Sequence, residues 1–332
     1  MLQTVIAYNA NDALHTGLRL LTACGCKLNS RNGTVLVAPG PVVTEYSRPD
    51  QRVLFSPLRD ANPFFHLYES IWMLAGRNDA HSVARYAKTM ESFANERGVL
   101  HGAYGFRWRE QFGFDQLISI VDMLRADPNT RRAVLTMWSP EADLLNAAAS
   151  KDVPCNTTVY FDATRGALDM TVCNRSNDIV WGAYGANFVH MSFMQEFVAA
   201  SIGMRMGKYY QFSNNYHTYT DRPDVDRLLS KDGRDVVYAI DDRYANHLQL
   251  YSLPLGLNAQ TFLQDCEDMA EDPISSHSTR HPFFTDVFCP MMRAHAEYKA
   301  GGDAYQQLTH CKADDWRIAG WEWLDRRLKA KP

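Results

Sequence analysis

The sequence lacks the short signatures that mark several common classes of protein. Its 332 residues contain no Cys-x-x-Cys pair and no His-Glu-x-x-His segment, which are frequent spacings of zinc ligands. They also lack the glycine patterns of a P-loop and of a dinucleotide fold. No apolar run approaches about 18 residues, the length that a membrane-crossing helix needs. We therefore expect no metal, no triphosphate cradle and no transmembrane helix.

Charge and cysteine are limited as well. The net charge is −4, which predicts neither direct nucleic-acid binding nor a membrane surface as partner. The seven cysteines are odd in number and mostly scattered, a usage typical of reduced thiols in the cytoplasm. The segment Met1–Ala10 has no basic flank and no long apolar core, so we expect no signal peptide.

The most informative stretch runs from Lys151 to Asn187. Apolar residues alternate in Thr158–Phe161 and again in Leu168–Cys173, which predicts two antiparallel strands joined by a hairpin. Cys155 precedes the first strand and Arg175 follows the second. The hairpin would therefore bring a thiol and a guanidinium to the same end.

A thiol beside a guanidinium suggests a specific chemistry. A cationic neighbour lowers the pKa of a thiol and improves it as a nucleophile. Arginine also holds phosphate in a bidentate manner. The pair Cys155 and Arg175 thus indicates covalent attack on a phosphorylated substrate. A buried structural cysteine beside a surface arginine is the alternative, and the spacing alone does not decide between them.

Three further groups stand out before any resemblance is considered. Glu69 lies within Pro63–Gly76, an otherwise apolar predicted helix, and could be a general acid or base or a paired structural acid. His217 and Tyr219 are two residues apart, so an extended segment would place them on one face. Arg131 and Arg132 open a predicted strand and would point to opposite faces, as two surface charges would.

The remaining pattern predicts an α/β protein without an internal linker. We expect helices over Asn11–Leu28, His81–Glu96, Asp115–Ala126, Asn187–Ile202, Val225–Leu250 (mostly helical) and Ala294–Lys329, strands over Val35–Val37, Val42–Tyr46, Ala133–Trp138 and Lys208–Phe212, and a loop over Pro273–Arg280. The sequence therefore predicts one domain over residues 1–332, with a helical C-terminal extension at about 290–332.

Taken in chain order, these features resemble the thymidylate synthase family, including its pyrimidine hydroxymethylase branch. The resemblance covers about Leu28 to Asp221. It rests on the segments Ser30-Arg31-Asn32-Gly33-Thr34, Glu69-Ser70-Ile71-Trp72-Met73-Leu74-Ala75-Gly76, Tyr104-Gly105-Phe106-Arg107-Trp108, Asp127-Pro128-Asn129-Thr130-Arg131-Arg132, Pro154-Cys155 and Arg175-Ser176. Asp178, Asn187, His217 and Tyr219 follow at compatible spacing.

The resemblance implies a role for each matched residue. Cys155 would be the nucleophile, Glu69 and Tyr104 would move protons, Arg31, Arg175 and Ser176 would bind phosphate, Asp178 would contact the pterin, Asn187 would read the pyrimidine edge, and His217 with Tyr219 would hold the deoxyribose 3′-hydroxyl. Met90, Phe93, Trp181 and Gly182 would join Asp178 in lining the folate site. Arg131 and Arg132 would reach the nucleotide phosphate of a partner subunit.

The resemblance also implies the fold and the ligands. We expect a thymidylate-synthase-like α/β fold whose large sheets pack back to back in a homodimer. The substrates would be a pyrimidine deoxynucleoside monophosphate and 5,10-methylenetetrahydrofolate, without a metal. A one-carbon unit would pass to C5 of the base through an adduct between Cys155 and C6. Hydride transfer from the folate would then give thymidylate, whereas water would give a 5-hydroxymethyl nucleotide.

Several departures from the family pattern favour water. Asn156 follows the nucleophile where the synthases carry histidine. Met90 stands where the synthases carry a tryptophan beside the exocyclic methylene and the folate, with a second aromatic position at Phe93. The synthases end in a short apolar closing tail, whereas this sequence continues into a charged segment rich in tryptophan. Hydride transfer needs water excluded from the methylene. We therefore favour 5-hydroxymethyl-dUMP as the product, with thymidylate as the alternative.

The identity of the base is a separate question. A side-chain amide can pair with O4 and N3–H of uracil, so Asn187 favours dUMP. One extra residue between Gly182 and Asn187 reshapes this segment, which keeps dCMP and CMP as alternatives. Such a product would suit a bacteriophage with modified DNA, acting in the host cytoplasm.

Two other classes of function remain as alternatives. The chain could bind nucleotide or RNA without turnover, although Cys155, Glu69 and Tyr104 together argue against this. A Cys-His hydrolase would need a histidine such as His190 or His217 beside Cys155, and no hydrolase signature surrounds either residue.

Overall fold

Two β-sheets and the helices around them form the protein in a computed structural model, which describes residues 2–145, 152–230, 243–275 and 281–329. The strands are β1 (Gln3–Ala7), β2 (Cys26–Ser30), β3 (Gly33–Val37), β4 (Val42–Tyr46), β5 (Val134–Thr136), β6 (Asn156–Asp162), β7 (Ala167–Asn174), β8 (Asn177–Asp178), β9 (Arg205–Ser213) and β10 (Tyr216–Tyr219). The larger sheet has the order β1-β4-β9-β7-β6-β5, and the smaller has the order β2-β3-β10-β8.

Helices cover one side of the larger sheet and extend beyond it. They are α1 (Ala10–Cys24), α2 (Pro63–Leu74), α3 (Ala80–Ala84), α4 (Tyr104–Arg109), α5 (Gln116–Ala126), α6 (Ala186–Ser201), α7 (Pro223–Leu229), α8 (Ala259–Glu271), α9 (Cys289–Ala300), α10 (Ala304–Leu308) and α11 (Asp314–Leu328). Short 3₁₀ segments cover Lys88–Phe93 and Arg243–Asn246, and π-helical turns cover Pro140–Leu145, Ile179–Ala183 and Phe284–Phe288. The α/β class predicted from the sequence is confirmed.

The predicted hairpin is formed by β6 and β7. Val159 pairs with Val172 and Phe161 with Met170, and these four side chains are buried on the face that α6 covers. The opposite face carries half-buried or exposed residues such as Tyr160, because side chains alternate across a strand. The hairpin thus lines the core on one side and leaves the other side of the sheet open.

Helix α2 lies in the centre of the helical layer. Asn62 caps its first turn and Pro63 occupies the first helical position, where a missing N–H costs nothing. Ala75 ends the helix and Gly76 follows with φ of +72°, a conformation that glycine adopts without strain. Helices α6 and α8 pack against α2, which explains why nearly the whole segment is buried.

The C-terminal helices α9, α10 and α11 pack on one another, and α9 and α11 also contact α2. Trp323 of α11 meets Phe64 of α2 edge to face, with ring centroids 5.3 Å apart. Arg326 and Arg327 both donate to the carboxylate of Asp60, just before α2. The region predicted as a helical extension is therefore built onto the helix that bears Glu69.

Three predicted elements are wrong in their bounds. The helix expected over Asn11–Leu28 ends at Cys24, because Gly25 is extended and Cys26 begins β2. The helix expected over His81–Glu96 is the short α3 followed by a 3₁₀ segment. The span Ala294–Lys329 holds three helices, since Gly301 takes φ of +79° and ends α9.

Other expected elements agree with the structure or fall partly outside it. In Val225–Leu250 the described residues contain only part of α7 and a 3₁₀ turn, and residues 231–242 lie outside the described ranges. Most of the loop expected over Pro273–Arg280 lies outside them too. No helix in the described part of the chain is long and apolar enough to cross a membrane.

Candidate active site

Cys155 lies at the start of β6, where the hairpin brings it against Arg175. The backbone N–H of Arg175 donates to the carbonyl of Cys155 at 2.9 Å, and Nη2 of Arg175 lies 3.9 Å from Sγ. The same guanidinium donates to the carbonyls of Pro154 and Val153, each at 2.9 Å. The predicted proximity of thiol and guanidinium is therefore confirmed, and the guanidinium also fixes the loop before β6.

The thiol is less acidic than its neighbour led us to expect. Burial raises the pKa of Cys155 above its ordinary value, and Asp152 and Asp178 add to this effect. Arg175 lowers the pKa of the thiol but does not offset the burial. In this structure Cys155 is thus protonated at neutral pH, and the thiolate must form as the reaction proceeds.

Tyr104 contacts the nucleophile segment directly. Its hydroxyl oxygen accepts from the backbone N–H of Cys155 at 3.2 Å and of Asn156 at 3.4 Å. Burial raises the pKa of Tyr104, so the phenol remains neutral. The next residue is Gly105. Helix α4 crosses α2 so closely here that a Cβ at position 105 would collide with the backbone of Met73. Close packing of α4 on α2 therefore sets the position of the phenol.

Glu69 lies on α2 and is only 5% exposed. Its Oε2 lies 2.9 Å from Nε2 of His190, which is on α6 and also buried. The structure thus supports the reading of Glu69 as a buried acid with a partner. That partner carries no sequence signal, because it comes from a helix far along the chain.

A second group of residues surrounds Asp178. Oδ1 of Asp178 accepts from the N–H groups of Val180 at 2.9 Å and Trp181 at 2.6 Å, which starts the turn Ile179–Ala183. Oδ2 is buried and has no hydrogen-bond partner among the described residues. Burial raises the pKa of Asp178, and the two backbone donors and His217 oppose it. One carboxylate oxygen is therefore available to a ligand.

Gly182 and Asn187 lie at the end of this turn. Nδ2 of Asn187 donates to Oδ1 of Asn177 at 3.3 Å. A Cβ on Gly182 would lie 2.9 Å from the same two side-chain atoms, so only glycine lets the turn pass this close. Trp181 is 41% exposed beside them. The turn thus brings the predicted residues Trp181, Gly182 and Asn187 together beside Asp178, and these four residues form one wall of the site.

The smaller sheet places His217 beside this wall. His217 on β10 pairs in register with Asp178 on β8. The ring of His217 meets that of Tyr219 edge to face, with centroids 5.5 Å apart. The expectation that these two side chains share a face is therefore confirmed.

The other predicted residues lie further out. Ser176 follows Arg175 and is half-buried, whereas Arg31 is exposed in the turn between β2 and β3, and β3 pairs with β10. Met90 is half-buried in the 3₁₀ segment and Phe93 is 48% exposed. None of these contacts contradicts the expected roles, which stay predictions.

Arg131 and Arg132 are not brought to the thiol of their own chain. Both are exposed and precede β5, which runs antiparallel to β6 with Val134 opposite Tyr160. The Val134 end of β5 therefore lies beside the far end of β6, whereas Cys155 precedes the first residue of β6. The two guanidiniums therefore need another location for their ligand.

Sequence reasoning missed two arginines that frame Trp181. Arg59 is buried, donates from Nε to the carbonyl of Val180 at 2.6 Å, and places its guanidinium carbon 4.3 Å from the Trp181 ring centroid. Burial lowers the pKa of Arg59 to about 10. Nearby carboxylates, of which Asp178 has the largest effect, act in the opposite direction and raise it. Arg222 stands 5.9 Å from the same ring. No spacing signal in the sequence marks either residue.

Asp152 is a third group that the sequence did not single out. It accepts from the N–H of Gly102 at 2.7 Å. Burial raises the pKa of Asp152, and Glu69 adds to this effect. The Asp152 carboxylate also raises the pKa of Cys155, so it interacts electrostatically with both the nucleophile and Glu69 on α2.

These groups define what the site can do chemically. A thiol is held next to a cation and a neutral phenol, and a buried acid lies behind them. A separate wall offers an amide, an unfilled carboxylate oxygen and an exposed indole. Such an arrangement suits covalent attack on a planar anionic substrate with proton transfer, and a second flat ligand could occupy the wall.

Comparisons with known proteins agree with this geometry. Residues 24–250 match the thymidylate synthase family. A deoxyuridylate hydroxymethyltransferase of Pseudomonas phage M6 is 42% identical over 332 residues, covering 97% of this chain and 93% of the relative. One of Bacillus phage SP01 is 32% identical over 286 residues, covering 81% and 70%. A thymidylate synthase of Listeria monocytogenes serotype 4a (strain HCC23) is 30% identical over 136 residues, covering 40% and 42%. The match covers more than half of the chain and includes all the motifs that carried the resemblance, so this chain belongs to the thymidylate synthase family.

Proposed function

We propose that this protein transfers a one-carbon unit from 5,10-methylenetetrahydrofolate to C5 of dUMP and releases 5-hydroxymethyl-dUMP. The observation that carries the proposal is the thiol of Cys155 held against Arg175 and Tyr104 at one end of the β6–β7 hairpin. The names of the two phage relatives support the hydroxymethyl product.

The first step is addition of Cys155 to C6 of the uracil ring. This forms an S–C6 bond and moves the electron pair of C5=C6 onto C5 and the O4 enolate. The raised pKa of the thiol means that its proton leaves as the ring is attacked rather than beforehand. Arg175 holds the nucleotide phosphate and stabilises the developing thiolate.

Protons are moved by Tyr104 and Glu69. The Tyr104 hydroxyl accepts from the backbone N–H groups of Cys155 and Asn156, which keeps it beside the nucleophile. It assists removal of the C5 proton. Glu69 shuttles protons at the base carbonyl through ordered water.

The wall around Asp178 fits the folate. The unfilled Oδ2 of Asp178 can accept an N–H of a pterin, and the exposed face of Trp181 can stack on a flat ring. When bound, the folate supplies the methylene carbon. Arg59 beneath Trp181 fixes the orientation of the indole.

Water rather than hydride completes the reaction. Asn156 is buried and its Oδ1 accepts from Nδ2 of Asn174 across the hairpin, so this position presents no titratable group to the pocket. Met90 is a flexible, half-buried side chain where an aromatic ring would shield the methylene. Both features favour access of water, in agreement with the product that the phage relatives are named for.

The base is set by Asn187. Its side-chain amide can donate to O4 and accept from N3–H of uracil. Asn177 and Gly182 orient this amide from either side. The same contacts disfavour cytosine, which presents a donor at position 4.

The site is completed by a second copy of the chain. The face of the larger sheet that α6 leaves uncovered carries apolar residues on β5, β6, β7 and β9, among them Val134, Tyr160, Cys173 and Phe212. Charged residues on this face, such as Asp169 and Lys208, form ion pairs with Arg165 and Glu45. Packing two such faces would form the homodimer. The exposed pair Arg131 and Arg132, away from the thiol of its own chain, would then reach the partner's phosphate.

The decisive experiment is a product analysis. The protein is incubated with 5,10-methylenetetrahydrofolate and dUMP, dCMP or CMP, and the products are identified by mass. We expect a hydroxymethyl group on dUMP with release of tetrahydrofolate. A methyl group with formation of dihydrofolate would establish a thymidylate synthase instead, and reaction of dCMP or CMP would refute the role of Asn187.

The matched control is Cys155→Ser. It keeps the size and the backbone contacts of the residue, so dUMP binding should change little while turnover is lost. A Cys155→Ser variant with full activity would refute covalent catalysis by this thiol.

A further inference from the structure

His190 and Glu69 form a buried pair behind the base-reading residue. His190 lies on α6 one turn after Asn187, and its side chain is 1% exposed. Nε2 lies 2.9 Å from Oε2 of Glu69, whose side chain is 6% exposed. The two helices α2 and α6 thus bring an imidazole and a carboxylate together inside the protein.

Both groups have unused hydrogen-bonding capacity. Oε2 of Glu69 and both ring nitrogens of His190 are buried, and the two close atoms are not aligned for a hydrogen bond with each other. No other described residue satisfies them. A buried polar group without a hydrogen-bond partner destabilises the folded protein. The pair is therefore suited to holding a small polar molecule such as water.

Titratable groups on neighbouring segments also lie near the pair. His66 lies one turn before Glu69 on α2, and burial, Arg59 and His190 hold its pKa well below the ordinary value, so it stays neutral. Asp152 approaches from the segment before Cys155, and its carboxylate interacts with Glu69. His190 is thus the group in direct contact with the Glu69 carboxylate.

We propose that His190 is a positioning residue that, together with Glu69, holds the water that adds to the exocyclic methylene carbon, the carbon left on C5 when tetrahydrofolate departs. This inference rests on the proposed function, since only a hydroxymethylase needs that water. A synthase must keep water out at this stage. The position beside Asn187 places the pair next to the ring that the amide reads.

The water oxygen bonds to the methylene carbon while its proton passes to the Glu69 carboxylate. The electron pair of the exocyclic double bond moves to C5 and the O4 enolate. The enolate then re-forms C5=C6 and expels Cys155 from C6 as thiolate. No oxidant or reductant takes part.

The test separates this step from the earlier ones. Release of tritium from [5-³H]dUMP reports loss of the C5 proton, and the product reports what captured the methylene. An added thiol, 2-mercaptoethanol, competes with water and gives a thioether. The ratio of thioether to hydroxymethyl product does not depend on how much of the enzyme is active.

For His190→Leu we expect tritium release within about threefold of the wild type. The hydroxymethyl product should fall about 10²-fold, because a misplaced group can cost that much. The thioether ratio should rise correspondingly. His190→Gln restores a polar side chain that can hydrogen-bond the water, so its ratio should lie between the two. If the leucine variant does not fold, a glutamine ratio above that of the wild type supports the proposal.

The matched control is His295→Gln. His295 is 5% exposed and packs among Phe64, Tyr298 and Trp323 in the C-terminal helices. It should leave the ratio unchanged. An unchanged ratio in the His190 variants, or an equal loss of tritium release and product, would overturn the role of His190. A wild type that makes no hydroxymethyl product would instead refute the proposed function.

Discussion

Replacing Arg175 by Gln should slow alkylation of Cys155 by a predictable amount. The guanidinium lies 3.9 Å from the sulfur and lowers the pKa of the thiol, whereas burial, Asp152 and Asp178 raise it. A unit charge at about 4 Å stabilises a thiolate by about 1 kcal/mol in water and by about 4 kcal/mol at an effective dielectric constant of about 20. Arg175 is exposed, so solvent screening selects the lower figure.

About 1 kcal/mol corresponds to a factor of about five in the thiolate fraction at a pH below the pKa. The pKa of the thiol is already raised by burial, and loss of Arg175 raises it further. The rate of alkylation by iodoacetamide should therefore fall about fivefold near neutral pH, and the curve of rate against pH should move to higher pH. Arg175→Lys keeps the charge on a flexible chain and should fall by less.

The assay must resolve the individual thiol, because Cys26 is exposed elsewhere on the chain. Peptide mass analysis after timed alkylation gives the rate at Cys155 alone. Arg165→Gln is the matched control, since Arg165 lies in the turn at the opposite end of the same hairpin and pairs with Asp169. An unchanged or faster rate in Arg175→Gln, or an equal change in the control, would refute the electrostatic argument.

Three further predictions concern neighbouring groups. Tyr104→Phe removes the hydroxyl that accepts from two backbone N–H groups and should reduce tritium release from C5 by about 10²-fold or more. Binding of dUMP is measured in parallel, and unchanged tritium release would show that Tyr104 does not transfer the proton. Gly105→Ala forces a Cβ against the backbone of Met73 and should lower the unfolding free energy by about 1–3 kcal/mol in urea titrations, whereas Gly113→Ala probes only its positive φ in open space. Asp315→Asn removes a buried acid whose pKa burial raises to about 7. The unfolding free energy of the wild type should fall by up to about 4 kcal/mol between about pH 4 and pH 7, and that of the variant should not. An equal fall in the variant would contradict this prediction.

Proton binding by Asp315 makes stability depend on pH. Between its unfolded pKa and about 7, the unfolded chain releases the proton while the folded protein keeps it. Stability therefore falls as the pH rises through this window and levels off above it. The N–H of Trp316 and the nearby Arg52 favour the ionised form and reduce the size of the effect.

The part of the site that lies within one hairpin could be predicted from the sequence. Alternation in β6 and β7 fixes the register, and the register places Arg175 beside Cys155. The same reasoning gives His217 and Tyr219 one face of β10. Local periodicity is sufficient here because the partners are neighbours along a strand or across one turn.

Contacts between distant helices could not be predicted in this way. Glu69 was recognisable as an acid in an apolar helix, but its partner His190 depends on how α2 crosses α6. Arg59 reaches Trp181 only because its loop passes beneath the turn that follows β8. No period in the sequence encodes such crossings, since each requires the packing angle of two elements.

The wrong helix bounds have a similar origin. Apolar spacing in His81–Glu96 is compatible with a helix, but α3 ends after five residues and the 3₁₀ segment Lys88–Phe93 contains no fully buried residue. A helix without a buried stripe gains little from tertiary packing. The error matters for function, because Met90 and Phe93 lie on this loosely packed segment.

A common property links the reactive groups of the site. Burial raises the pKa of Cys155, Tyr104 and Asp178 alike, so in the absence of ligand the thiol and the phenol are uncharged at neutral pH. A protonated thiol is a poor nucleophile towards adventitious electrophiles and oxidants. Addition to C6 must then be driven by the bound ring, which accepts the negative charge as the proton leaves. The covalent step is thereby coupled to the presence of substrate. Arg175 holds that substrate and also offsets part of the rise in the pKa of Cys155 that burial causes.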